Sequence, residues 1–197
     1  MIACAIFLRH QGMTKTALLA ISSLALSALS SKAAITELDF GGQGWINQNK
    51  NWVVSSGTGY TISAISYWSG EATFTCSSST DWWEVDFAAP EGQSLQVGAY
   101  DNAIRYPFNE GAQSGMDIYG DGRGSNQVSA SFQVLEISWN PDGTLASFAA
   151  DFTHLSEGNP NWFTIGQMRY NSTVPIPETS VLTFGLIALP GLVRRKR

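Results

Sequence analysis

Between Ala34 and Val174, apolar and polar residues alternate in short runs, and helical spacing is almost absent. The alternation predicts nine strands: Thr36–Phe40, Trp52–Ser55, Tyr60–Ser66, Ala72–Cys76, Trp82–Phe87, Leu95–Tyr100, Gln127–Trp139, Thr144–Thr153 and Trp162–Tyr170. Gly, Asn, Asp, Pro and Ser punctuate them, so the expected fold is all-β, a single antiparallel β-sandwich or jelly-roll-like domain over residues 34–174. The clearest hairpin turns at Asn140-Pro-Asp-Gly143, where Pro presets φ and Gly accepts a positive φ at the turn exit. Phe148 and Phe152 share one face of its second strand. On its first strand the apolar phase slips from Phe132 and Val134 to Leu135, Ile137 and Trp139, which predicts a β-bulge. Residues 41–59 give no clear pattern and read as a long loop around Trp45 and Trp52.

Both flanks are apolar without alternation. After Met13-Thr-Lys15 comes the run Ala17–Leu29 and then small residues up to Ala34, the order of a secretory signal. A signal peptide over residues 1–33 is expected, cut between Ala33 and Ala34, with Met13 as the start of translation and Cys4 absent from the mature protein. Its passage would use the Sec translocon. At the other end, Pro175-Ile-Pro177-Glu178 precedes an apolar stretch, Val181–Val193, and the cations Arg194, Arg195, Lys196 and Arg197. Four cations resist translocation, so the stretch is expected to enter the inner membrane at least transiently as a short helix. Thirteen residues rise only about 20 Å as a helix, less than a permanent span usually needs.

The chain has 197 residues, of which 14% are charged and 44% hydrophobic. That suits one folded domain plus targeting segments and excludes a long disordered chain. Within residues 34–174, Lys50, Arg105, Arg123 and Arg169 face fifteen carboxylates, a net charge of −11. Such a surface repels phosphate backbones, so a nucleic-acid partner is excluded, while divalent cations and neutral glycans remain open.

The order Pro-Ile-Pro-Glu, short apolar helix and basic cluster over residues 175–197 resembles the PEP-CTERM sorting signal of Gram-negative bacteria that make exopolysaccharide. The resemblance implies recognition by an exosortase, cleavage near Pro177 and Glu178, and transfer to the cell surface or extracellular matrix. The usual Pro-Glu-Pro is Pro-Ile-Pro-Glu here, which leaves the processing position open.

A second resemblance runs through Leu95–Tyr100, Ala103–Phe108, Gly120–Asn126, Phe148–Phe152 and Arg169–Ser172, which together are similar to an uncharacterised bacterial secreted β-domain family. That family carries Cys where this chain has Ser125 and Ser156, which implies a disulfide lost as a pair. It implies an architecture and no activity or cofactor.

Candidate sites are few. Cys76, the sole mature cysteine, reads as a buried free thiol; a nucleophilic role would need a base, and His154 is the domain's only histidine. Asp117, Asp121 and Asn126 cluster oxygens among glycines as a weak Ca²⁺ set, but their spacing departs from the EF-hand, and a tight turn with left-handed glycines at Gly120, Gly122 and Gly124 accounts for the segment without metal. Arg105 and Arg123 are read as structural forks bridging Asp101, Asp117 or Asp151, with a ligand carboxylate as the other possible partner. Among the aromatics, Trp68, Trp82 and Trp83 are candidates for stacking on sugar rings, although most rings are expected in the core; adjacent Trp82 and Trp83 must point to opposite faces.

The function expected is therefore that of an exported, exosortase-processed surface or matrix protein, a non-catalytic structural or adhesive component associated with exopolysaccharide or biofilm. The rival is a glycan-active hydrolase or lyase using Asp81, Glu84 or Asp86, since Glu84 and Asp86 share a strand face. A tail-anchored envelope module that binds a ligand is a further alternative. No nucleophile elbow, His-rich metal box or phosphate loop is present in the sequence.

Overall fold

A computed structural model of the chain describes residues 32–66 and 68–177. The signal segment up to Ser31, Glu178, the apolar stretch 181–193 and the cations of Arg194–Arg197 lie outside the described residues. Ala33 and Ala34 are exposed coil just before the first strand, and Pro175 and Pro177 are exposed coil just after the last.

Ten strands form: β1 (Ile35–Gln43), β2 (Trp52–Ser55), β3 (Thr61–Ile65), β4 (Glu71–Ser77), β5 (Trp82–Ala88), β6 (Gly98–Arg105), β7 (Gly115–Gly120), β8 (Val128–Trp139), β9 (Leu145–Ser156) and β10 (Phe163–Ser172). The β8–β9 hairpin follows the alternation. The backbone N–H of Asn140 donates to the Thr144 carbonyl at 2.8 Å, and Gly143 sits at φ 85°. Asp142 Oδ1 accepts from both the N–H and the hydroxyl of Thr144, which stiffens the turn. Register skips between Val134 and Glu136, the bulge that the phase slip at Leu135 predicts.

All strands belong to one hydrogen-bonded sheet, in the order β2-β1-β10-β9-β8-β6-β7-β5-β4-β3. The chain is all-β, as expected, but the sheet is mixed: β6 and β7 run parallel over two residue pairs, and the other neighbours are antiparallel. The sheet curls until it is nearly closed and barrel-like. Its two edges, β2 and β3, are consecutive in sequence and joined by a single 3-10 turn over Ser56–Thr58. Rings cross the interior: Phe40 of β1 meets Trp83 of β5 edge-on at 4.7 Å, and Phe87 of β5 lies 5.2 Å from both Phe132 and Phe148. Apolar burial on the concave face of one sheet replaces the contact between two facing sheets that holds a sandwich together.

Three element boundaries differ from the sequence expectation. The strand expected at Leu95–Tyr100 is displaced toward the C-terminus as β6, because Leu95 instead turns into the core with its N–H on the Ser69 carbonyl. The loop read over residues 41–59 is shorter than expected, because β1 continues to Gln43, while β2 occupies Trp52–Ser55 as expected. Strand β7 was hidden because Asp117 sits at a buried position, so Met116-Asp-Ile-Tyr119 does not read as a half-buried strand.

Candidate functional site

Strand β5 sends Trp83, Val85 and Phe87 inward, and Trp82, Glu84 and Asp86 to the other face. Trp83 is wholly buried against Phe40 and Trp52, whereas Trp82 is 44% exposed, with its ring edge-on to Tyr119 at 6.0 Å. The opposition of the two indoles is as expected. It withdraws Trp83 from any surface role.

On that outer face, β5 pairs with β7 so that Asp86 stands opposite Asp117 and Glu84 opposite Tyr119. The β6–β7 connection leaves through the cis Tyr106–Pro107 bond, and the tight turn after β7 returns as Gly122-Arg123-Gly124. These segments enclose a cavity of about 410 Å³ lined by Trp82, Asp86, Arg105, Asp117, Tyr119 and Gly124, among others.

Its carboxyls are nearly buried and differ in surroundings. Asp117 Oδ2 accepts from Arg105 Nε at 3.2 Å, while Oδ1 lies 3.2 Å from His154 Nε2 and accepts the Ile118 N–H. A carboxylate acceptor at Nε2 places the imidazole hydrogen there. Asp86 Oδ1 accepts the Thr73 hydroxyl at 2.6 Å. Burial pushes its carboxyl up to about 7; the Thr73 hydroxyl opposes the rise, and the charges of Glu84, Asp117 and Glu71 add to it. The Tyr119 hydroxyl donates to Glu84 and that of Tyr106 to Glu71. Tyr119 is held well above the usual phenol range, first by burial and then by this bond to Glu84.

The two arginines divide their roles. Arg105 takes Asp117, one of the expected partners, and lies over the Phe108 ring at 5.1 Å. Arg123 instead bonds Asp121 two residues away, donates to the Ile46 carbonyl at 3.1 Å, and stacks 4.9 Å from the centre of Trp83. It is a strut between the turn and the core. Asp151 is taken by the buried Arg169 at 2.8 Å, and Asp101 is exposed.

In the turn, Asp121 (φ 49°) and Gly122 (φ 71°) are both left-handed, a hairpin turn of the Asp-Gly kind. Gly120 serves a different purpose from the one expected: a Cβ there would lie 2.2 Å from the Trp82 carbonyl oxygen and 2.7 Å from the Trp83 ring. Gly124 has neither constraint, since its nearest neighbour would be 3.6 Å away. Asp117, Asp121 and Asn126 do not act as one set: Asp121 Oδ1 accepts the Trp82 N–H, and Asn126 donates its N–H to Glu157. Among the described residues no group of three or more His, Cys, Asp or Glu is placed to hold a metal.

Trp68 is 44% exposed but packs over Gly70 and does not line this cavity. Asp81 stands at the start of β5, its carboxyl held low by the Thr80 hydroxyl and by Asp121. Cys76 is buried, its thiol pushed up to about 12 by burial and by the charge of Glu84, while His154 is committed to Asp117. Ser125 and Ser156 are both buried and line one further cavity, beside Gly124. Sequence reading missed Tyr106, Tyr119, Thr73 and the His154–Asp117 pair. None of them had a local signal: the buried Asp117 obscures the strand that carries Tyr119, and the other partners come from distant parts of the chain.

No family model, no curated protein and no solved structure matches the chain.

Proposed function

We propose that this chain is an exported, exosortase-processed surface or matrix protein whose β domain holds exopolysaccharide without cleaving it. The observation that carries the binding part is the half-exposed Trp82 ring at a cavity already furnished with the Arg105–Asp117 pair. An indole face suits the C–H face of a pyranose, and a paired carboxylate and guanidinium offer acceptors and donors to its hydroxyls. Both charged groups are held by protein partners before a sugar arrives, so little ordering is needed on binding. The export part rests on the end segments, with Ala33 and Ala34 exposed just before the first strand and Pro175 and Pro177 exposed just after the last.

The test pairs location with binding. The intact mass of the protein in its host, with and without Arg194–Arg197, should show a surface species ending near Pro177; a full-length form held in the membrane would favour a tail-anchored envelope module instead. The host's exopolysaccharide should retain the wild-type protein and lose Trp82→Ala, with Trp68→Ala as the control.

A second reading has its own observation. Asp86, its carboxyl raised to about 7, stands opposite Asp117, whose Oδ2 takes the Arg105 guanidinium, and two carboxyls in unlike surroundings are the arrangement in which an acid and a base share one site. A glycan-cleaving protein would release reducing ends from the polysaccharide, and Asp86→Asn would stop it. Retention without release supports the binding role.

A further inference from the structure

Outside the Trp82 cavity, a second pair of exposed indoles lies across the Gly122–Gly124 turn. Trp45 is 58% exposed and Trp162 43% exposed, and both line one cavity of about 610 Å³. Its polar lining is Gln48, Asn49, Ser125, Ser156 and Glu157, with a single carboxylate and no cation. That excludes a phosphate or carboxylate ligand by charge and suits a neutral molecule with apolar faces and hydroxylated edges.

The walls hold unusual backbone geometry in place. Gln48, Asn49 and Glu157 all adopt left-handed conformations, at φ 55°, 57° and 54°. Non-glycine residues hold such conformations only where the surroundings over-determine them. Here Asn49 is fixed through its N–H on Asn47 Oδ1 and its own Oδ1 on the Gly44 N–H, both at 2.9 Å. Asn47, fully buried, reaches across to the Phe163 carbonyl at 2.9 Å and the Thr164 hydroxyl at 3.0 Å, tying the Trp45 loop to the strand that follows Trp162. Gly44 leaves room for Trp162, since a Cβ there would lie 3.1 Å from its Cα and Cβ. The two indoles are thus mounted on one cross-braced frame. Within that frame the Ser125 hydroxyl is buried and has no hydrogen-bond partner among the described residues. An unmet hydroxyl in a cavity wall is a position where a ligand hydroxyl gains what the protein leaves open.

We propose that the Trp45–Trp162 cavity is a second saccharide subsite, joined to the Trp82 cavity across Gly124, so that the domain takes an internal stretch of a neutral glycan chain. Gly124 lines both cavities, and with no side chain it leaves the ridge between them low. The joined form rests on the polysaccharide-binding reading of the Trp82 cavity; the second subsite itself stands on its own residues.

The experiment is a calorimetric titration of the protein purified from its host with β-1,4-linked glucose oligomers from the monomer to the hexamer, and with hydrolysed host exopolysaccharide graded by length. Affinity should climb with length until both cavities are spanned. Trp45→Ala and Trp162→Ala should each weaken the long chains about tenfold, the upper end of a ring-face contact, and leave the shortest ligands of the Trp82 cavity unchanged. Ser125→Ala should weaken long chains about threefold to tenfold while leaving the melting temperature unchanged or raised, because it removes an unmatched hydroxyl. Wild-type affinity of the Trp45 and Trp162 variants at every length would overturn the second subsite and leave the Trp82 site standing. Loss in those variants with none in Trp82→Ala would keep the second subsite and overturn the Trp82 site together with the joined chain. No binding of any saccharide by the wild type would overturn both.

Discussion

Asp86 and Asp117 stand directly opposite each other on β5 and β7, yet Asp117 draws the guanidinium of Arg105 and the ring of His154, while Asp86 receives the neutral hydroxyl of Thr73. Like charges so placed repel, and with burial this repulsion raises the Asp86 carboxyl.

Stability should therefore carry the mark of Asp86. Its carboxyl rises from the ordinary 3.8 to about 7 on folding, so the native state binds the extra proton. The resulting stabilisation is complete below the unfolded value and is lost as pH rises through about 7. Every tenfold difference in proton affinity between the folded and unfolded chain is worth about 1.4 kcal/mol at most. Urea denaturation across this interval should show wild-type stability falling with rising pH, and Asp86→Asn should flatten the slope. An unchanged slope in the variant would mean that another group is responsible.

Arg169 is buried with its Nη1 on the carbonyls of Ala150 and Met168 and its Nη2 on Asp151 and the Pro175 carbonyl. Removing it strands those carbonyls, so Arg169→Ala should cost about 3 kcal/mol in chemical denaturation. Arg169→Lys should recover little, because one ammonium cannot reproduce the fork. Full recovery by lysine would show that charge alone is needed.

The three glycines of the turn should separate. Gly120→Ala places a methyl against the Trp82 backbone and should cost about 1–3 kcal/mol or more. Gly122→Ala forces a side chain into φ 71° and should cost about 1 kcal/mol. Gly124→Ala should be near neutral in melting temperature.

Ser125 and Ser156 are buried on one cavity wall, where the family resemblance puts a cysteine pair. The double variant Ser125→Cys, Ser156→Cys should close a disulfide on air oxidation and gain about 3–4 kcal/mol, from loop closure over the intervening residues. Thiol titration and a reductant-sensitive melting temperature check it. Two thiols that stay reactive in the folded protein would disprove the pairing.

Strand content was legible where one face meets solvent, as on β8 and β9, because period-two burial writes itself into the sequence. Even the bulge at Leu135 left a trace. What could not be read was closure: that Phe40 of β1 meets Trp83 of β5 is a relation between distant strands with no local signature. The same holds for the site. Trp82 and Asp86 could be picked out, and Arg105 could be given Asp117 as one of several partners, but the convergence of β5, β7 and the Tyr106–Pro107 bend needs the parallel β6–β7 pair, which the nine-strand antiparallel reading lacked. Buried polar positions such as Asp117 and His154 mislead pattern reading for a physical reason: their partners, not water, satisfy them.

The pairing of β1 with β10, which sets Ile35 beside Ser172, has a mechanical side. A protein tethered through the chain that leaves Ser172 would carry load into β10, and β10 is an interior strand, laddered to β1 on one side and β9 on the other. Tension there must shear two ladders together instead of peeling a free edge one bond at a time. Arg169, clasping the Pro175 carbonyl, braces the point where the pull arrives.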